Sequence, residues 1–193
     1  MLKNFFPNKI ISLSNKVIDN LIAIMLLIFF IGVIYSLIIS PPDYIQGDSV
    51  RIMYVHVPSS FIALGCFSFI GIASILNLIF KIKFASLMAK SLAPVGLIFS
   101  IISITTGSLW GKPTWGIWWA WDSRLTSMFI LVLFYLAYIL VWKFLKNFNT
   151  ANKISSIIAV IGLFNLPIIK YSVDWWNTLH QPSSITLTSA PTI

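Results

Sequence analysis

Few residues in this chain have the capacity for chemistry beyond packing. There are two histidines, His56 and His180, and five tryptophans, Trp110, Trp115, Trp118, Trp119 and Trp121, crowd into twelve positions. Neutral imidazole is a metal ligand, and a pair of imidazoles can supply both axial ligands of a haem iron. Indole faces are flat and electron-rich, so several of them could hold a porphyrin without a covalent bond. A zinc site would usually take four ligands, and no cysteine or glutamate cluster is present to complete one. Met53, three residues before His56, is a weaker ligand candidate. Each feature also has a plainer reading: a histidine that only makes structural hydrogen bonds, and indoles that anchor helices at a membrane interface.

The charged neighbours suit the same chemistry. Arginine can clasp a carboxylate bidentately, which makes Arg51 and Arg124 candidates for haem propionates. Snorkelling at a membrane flank is the alternative for both, and the preferred reading of Lys170. Asp122 is an acceptor, expected to N-cap the helix after it while fixing an indole or Arg124. Pro58 suits the first turn of a helix, where its missing N–H costs nothing, and would hold His56 at the helix mouth.

What must position these residues is a bilayer. Hydrophobic residues make up 58% of the chain and charged ones 9%, against roughly 25% charged in soluble domains. Apolar runs at Leu21 to Ile39, Val57 to Phe80, Leu92 to Leu109, Leu125 to Trp142 and Ile154 to Ile169 each read as a transmembrane helix. The expected fold is an all-α, polytopic helical bundle with five spans, forming a single membrane domain over residues 1–193. Lys3, Lys9, Lys16, Lys81, Lys83, Lys90, Lys143, Lys146 and Lys153 fall in one set of connections, and Arg51, Lys112, Arg124 and Lys170 in the other. By the positive-inside rule the N-terminus is cytoplasmic. The outer side then receives Pro41 to Met53, a tryptophan segment 110–124 and a C-terminal segment 171–193. Both histidines fall on that side with seven of the eight tryptophans, an asymmetry that an aromatic belt explains poorly.

Several functions lack their residues. The net charge of +8 is a topology signal rather than a basic stripe, so no nucleic-acid partner is expected. No glycine-rich phosphate loop is present to drive transport by this chain's own ATP hydrolysis. The lone Cys66 offers no Cys-x-x-Cys pair, and without Cys-x-x-Cys-His a haem held here is not attached in the c-type manner. Asn77, Asn165, Pro94 and Pro167 lie near helix ends, with no acid mid-span, which makes a proton relay a weak reading. His56 to Ser60 and His180 to Ser184 share His-x-Pro-Ser-Ser, an echo short enough to arise by chance.

Trp115-Gly116-Ile117-Trp118-Trp119-Ala120-Trp121-Asp122 resembles the Trp-Gly-x-x-Trp-x-Trp-Asp motif of the WWD haem-handling proteins of cytochrome c biogenesis. The flanking Leu109 to Pro113 and Asp122 to Ser127, with Tyr54 to Pro58 and Trp175 to Gln181, are similar to its haem exporter protein C branch. The resemblance covers nearly the whole chain. It implies that His56 and His180 ligate haem non-covalently on the outer face of a bacterial or mitochondrial inner membrane. Trp115, Trp118, Trp119 and Trp121 would pack on the porphyrin, with Asp122, Arg51 and Arg124 beside it. It further implies delivery to a membrane-anchored haem chaperone, alongside an ABC-type transporter complex and a small helper membrane subunit. Such proteins are maturation factors rather than turnover enzymes, and help in covalent attachment to the chaperone is left open. A haem permease and a b-type electron-transfer cytochrome are the competing readings. The family pattern has a sixth helix that returns the C-terminus to the cytoplasm, and no span follows His180 here, so either a truncated sequence or a lost helix is expected.

Overall fold

In the computed structural model of the chain, residues 8–180 are described, with side chains from residue 17 onward. The stretch 181–193, which holds most of the second His-x-Pro-Ser-Ser and most of the expected outer C-terminal segment, lies outside them, as do Lys3 and the side chains of Lys9 and Lys16. The chain divides into two compact units, Met1–Arg51 and Ile52–Ile193.

In the first unit, helix α1 (Asn8–Ile34) runs into a π-helical turn, Tyr35–Ile39. Pro41 and Pro42 end it: the residue before a proline is pushed out of the helical region, and Ser40 sits at φ −58°, ψ 138°. The loop beyond is closed by Asp43, whose Oδ1 accepts from Ile45 N (2.9 Å) and Gln46 N (2.7 Å). Arg51 donates from Nε (3.1 Å) and Nη2 (2.8 Å) to the Ser40 carbonyl, and pairs with Asp48 at 3.3 Å.

The second unit holds α2 (Met53–Phe80), α3 (Lys83–Trp115), α4 (Ser123–Phe144), α5 (Phe148–Leu163) and α6 (Asn165–Trp175). Helix α3 packs on α2 and α4, α5 on α2 and α4, and α6 on α4. Among the described residues, Val17–Ile39, Asp48–Phe80, Lys83–Trp115, Ser123–Phe144 and Phe148–Trp175 are helical, long and apolar enough to cross a membrane. The protein is a polytopic helical membrane protein, as the apolar runs imply.

Two elements differ from expectation. Helix α3 extends well beyond Leu92 to Leu109 at both ends, so Trp110 and Trp115 stand on a helix rather than in a loop. Hydropathy misses the ends because Lys83, Lys90 and Lys112 are compatible with helix while lowering the apolar average. Gly116 terminates α3 at φ 79°, a left-handed conformation open to glycine, with its N–H on the Lys112 carbonyl. The fifth span is in turn broken at Phe164 into α5 and α6. Pro167 is the cause: it cannot donate to the Leu163 carbonyl, and its ring crowds that carbonyl. Asn165, buried at the break, donates to the Ser127 carbonyl at 2.8 Å and ties α6 to α4.

The core lies between α2, α3, α4 and α5, built on Phe67, Ile70, Leu131, Tyr135 and Tyr138 against alanines 63, 73, 89, 93 and 159. Apolar burial gives little drive between helices in lipid, so small residues that permit close approach and polar pairs that fasten helices carry the packing. Helix α3 presents such a stripe in Ser86, Ala89, Ala93, Gly96, Ser100 and Ser103, all buried at three- or four-residue spacing, with Gly111 buried two turns further on. The amides of Asn77 and Asn152 bond reciprocally at 2.9 and 3.0 Å, joined by Ser86 and Ser156. These polar groups are spent on one another.

Candidate functional site

The N-termini of α2 and α4 and the C-termini of α3 and α6 meet at one end of the second unit, which brings His56, Trp110, Trp115, Asp122 and His180 together. His56 sits in the first turn of α2, and its Nδ1 lies 2.9 Å from the Ser103 carbonyl and 3.2 Å from Thr106 Oγ1. A carbonyl only accepts, so Nδ1 carries the proton and Nε2 keeps its lone pair. The ring meets Trp110 edge-on at 5.9 Å. It rests over Gly107, where a Cβ would fall 3.0 Å from Cε1.

His180 follows α6, and the same logic fixes it. Its Nδ1 lies 3.0 Å from Asp122 Oδ2, and the Asp122 side chain is only 8% exposed, so water competes little for that carboxylate. The other Asp122 oxygen accepts from Leu125 N at 2.8 Å, the N-cap expected of it. One carboxylate thus starts α4 and orients a histidine. Burial pushes the His180 imidazole below its usual pKa, against the upward pull of the Asp122 hydrogen bond. The neutral ring is the form that ligates metal. His56 and His180 are near enough for the charge of one to act on the other.

The four motif indoles divide into two kinds. Trp115 is half-buried: it folds back on Gly111, where a Cβ would lie 3.0 Å from its ring, and it makes a T-shaped contact with the His180 ring at 4.7 Å. It backs the histidine. Trp119 is also half-buried, edge-on to Trp121 at 5.5 Å and to Phe129 at 6.3 Å. Its Nε1 is buried and makes no hydrogen bond among the described residues. Trp118 and Trp121 are 56% and 77% exposed and offer open ring surface. Trp175 and Trp176, also exposed, follow on α6 and just after it, Trp175 stacked on Tyr171.

Arg124, in the first turn of α4, feels Asp122 and Asp174 but makes no ion pair among the described residues. Arg51 belongs to the first unit and donates to Ser40 there. Lys112 donates to the Gly116 carbonyl at 2.9 Å with its head 5.9 Å from the Trp118 ring. Sequence reasoning passed over Ser103, Thr106, Gly107 and Gly111. The signal was available: Ser103, Gly107 and Gly111 recur every four residues on the face of α3 that meets the histidines.

The profile of the family described as CcmC, Heme exporter protein C, matches residues 2–193. The chain belongs to this family. It is 40% identical over 179 residues to the heme exporter protein C of Bradyrhizobium diazoefficiens, covering 93% of this chain and 68% of that protein. Against the Escherichia coli K12 family member it is 43% identical over 154 residues, 80% of this chain and 63% of the other. A protein described as ccmC-like and mitochondrial from Marchantia polymorpha is 44% identical over 150 residues, 78% and 63% of the two chains. The chain thus spans about two thirds of the length of these family members.

Asp122→Asn separates the carboxylate's two tasks. Asparagine caps a helix about as well as aspartate, so α4 is expected to keep its start. Its amide nitrogen, however, would face Nδ1 and favour the tautomer whose proton sits on Nε2. Under the haem role proposed below, retention of haem would fall by roughly 10- to 100-fold, the cost of losing a partner that orients a metal-binding histidine. Haem titration beside circular dichroism checks this, and equal loss of helix and haem would point to the cap alone.

Proposed function

We propose that this chain handles haem as cargo in cytochrome c maturation, presenting it on the outer face of an inner membrane for delivery to a membrane-anchored haem chaperone. The carrying observation is the matched pair of imidazoles: His56 and His180 each have Nδ1 on a pure acceptor, and neither Nε2 has a hydrogen-bond partner among the described residues. Two imidazoles suit a haem iron, since the porphyrin supplies four ligands and leaves two axial positions that side chains can fill. Trp118 and Trp121 would cover the ring, Trp119 would support them and offer its N–H, and Arg124 would meet a propionate. Iron chemistry belongs to the bound haem; the protein's part is to hold, orient and release it. The outer placement rests on the distribution of lysines.

The partners that fit this reading are the chaperone, an ABC-type transporter complex and a small helper membrane subunit. A delivery role suits the family description better than turnover catalysis. A permease would need polar groups along a midplane path, whereas Asn77, Asn152, Ser86 and Ser156 bond to one another. The test is to purify the protein from haem-sufficient cells, with and without its chaperone, and record the optical spectrum. Haem absorption is expected; a protein free of haem in both preparations would overturn the proposal.

A further inference from the structure

Six lysines gather at the end of the second unit opposite the histidines: Lys81, Lys83 and Lys90 around the start of α3, and Lys143, Lys146 and Lys153 between the end of α4 and the start of α5. The unit's two acids, Asp122 and Asp174, both lie at the histidine end. No lysine of this group makes an ion pair among the described residues. The charge there is uncompensated within the unit.

Part of it is organised. A cavity of about 210 Å³ lies between α3 and α4, lined by Lys90, Pro94, Tyr138, Ile139, Trp142 and Lys143. The Lys90 ammonium stands 4.5 Å from the centre of the Trp142 ring, a cation–π contact that directs it towards α4. Phe148 packs on Trp142 with ring centroids 5.5 Å apart. Cationic heads at the margin, an apolar and aromatic wall, and a position near the ends of membrane-spanning helices together match one kind of molecule. It must be anionic at its head and apolar in its body.

We propose that this groove is a binding site for an anionic phospholipid, with Lys90 and Lys143 on the phosphate and an acyl chain along Pro94 and Ile139. Basic pockets between transmembrane helices near the membrane surface take such headgroups, and the apolar wall is what a free phosphate would not use. The site is separate from the haem proposal and stands without it.

The full chain, stripped of lipid in detergent, would be titrated with phosphatidylglycerol and with phosphatidylcholine of the same acyl chains, and bound lipid counted by native mass spectrometry. One phosphatidylglycerol is expected to be retained with about tenfold preference or more. The preference should disappear in Lys90→Gln/Lys143→Gln, survive in Lys90→Arg/Lys143→Arg, and survive in Lys81→Gln/Lys83→Gln. Glycerol phosphate should not displace the lipid. Equal retention of the two lipids by the unaltered protein would overturn the proposal, as would an equal loss in the Lys81/Lys83 pair, which would mean general surface charge. Displacement by glycerol phosphate would reassign the groove to a soluble anion and likewise refute a lipid site.

Discussion

With haem held as proposed, alanine at His180 is expected to convert a six-coordinate, low-spin spectrum into a five-coordinate one and to weaken haem retention by at least about 100-fold. That estimate follows because loss of a partner that merely orients a metal-binding histidine already costs roughly 10- to 100-fold. Alanine at His56 should have the same spectral result, since the two rings are equivalent in their free Nε2 atoms. Their supports differ, and so should their rescue. Removing the His56 ring leaves a space walled by Ser103, Thr106 and Gly107, with the Ser103 carbonyl able to accept from added imidazole. Removing the His180 ring leaves Asp122 as the acceptor and the Trp115 ring as the wall. Imidazole should therefore restore the low-spin spectrum in each single variant, and in His180→Ala it should fail once Asp122 is changed to alanine as well. An unchanged spectrum with both histidines replaced would keep haem binding and discard these ligands.

The largest loss of stability from a single methyl is expected at Gly96. A Cβ there would overlap the Tyr135 hydroxyl oxygen and Cζ. Tyr135 has little room to yield: it is fully buried, Phe67 meets its ring edge-on at 4.9 Å, and its hydroxyl donates to the Ala63 carbonyl at 2.6 Å. Overpacking costs about 1–3 kcal/mol. Displacing the hydroxyl from its acceptor adds about 1–3 kcal/mol. Gly96→Ala should thus destabilise the bundle by about 2–6 kcal/mol, read as a lowered unfolding midpoint in detergent. In a Tyr135→Leu background the same methyl should cost much less, giving a large coupling in the double-mutant cycle. A midpoint unchanged by Gly96→Ala alone would show that α3 and α4 do not approach this closely.

The spans were readable because a bilayer imposes one strong rule, the internal satisfaction of backbone hydrogen bonds, and hydropathy follows it. The N-cap at Asp122 was readable because capping is local and its residue preference sharp. What escaped depended on distance in the chain. The bond from Asp122 to His180 joins positions far apart, and nothing in either local sequence announces it. The same is true of His56 and Ser103. Trp115 and Trp118 look alike in the motif, yet one lies on the last turn of α3 under His180 and the other stands open. Only the position of the helix end at Gly116 separates them. Pro167 was visible as a helix breaker, but an apolar run hid the consequence of the break.

The two histidines are unequal in how much structure anchors them. His56 rides on α2, a helix of 28 residues fastened to its neighbours along its length. His180 hangs from α6, 11 residues beyond the discontinuity at Phe164, held to α4 by Asn165 and by the buried Ile169 and Ser172. Withdrawing His56 means disturbing a membrane span, whereas withdrawing His180 means loosening three turns of helix and one carboxylate bond. A grip of this kind has a fixed jaw and a moving one. Under the proposed function, release would begin at His180, the side with less to undo.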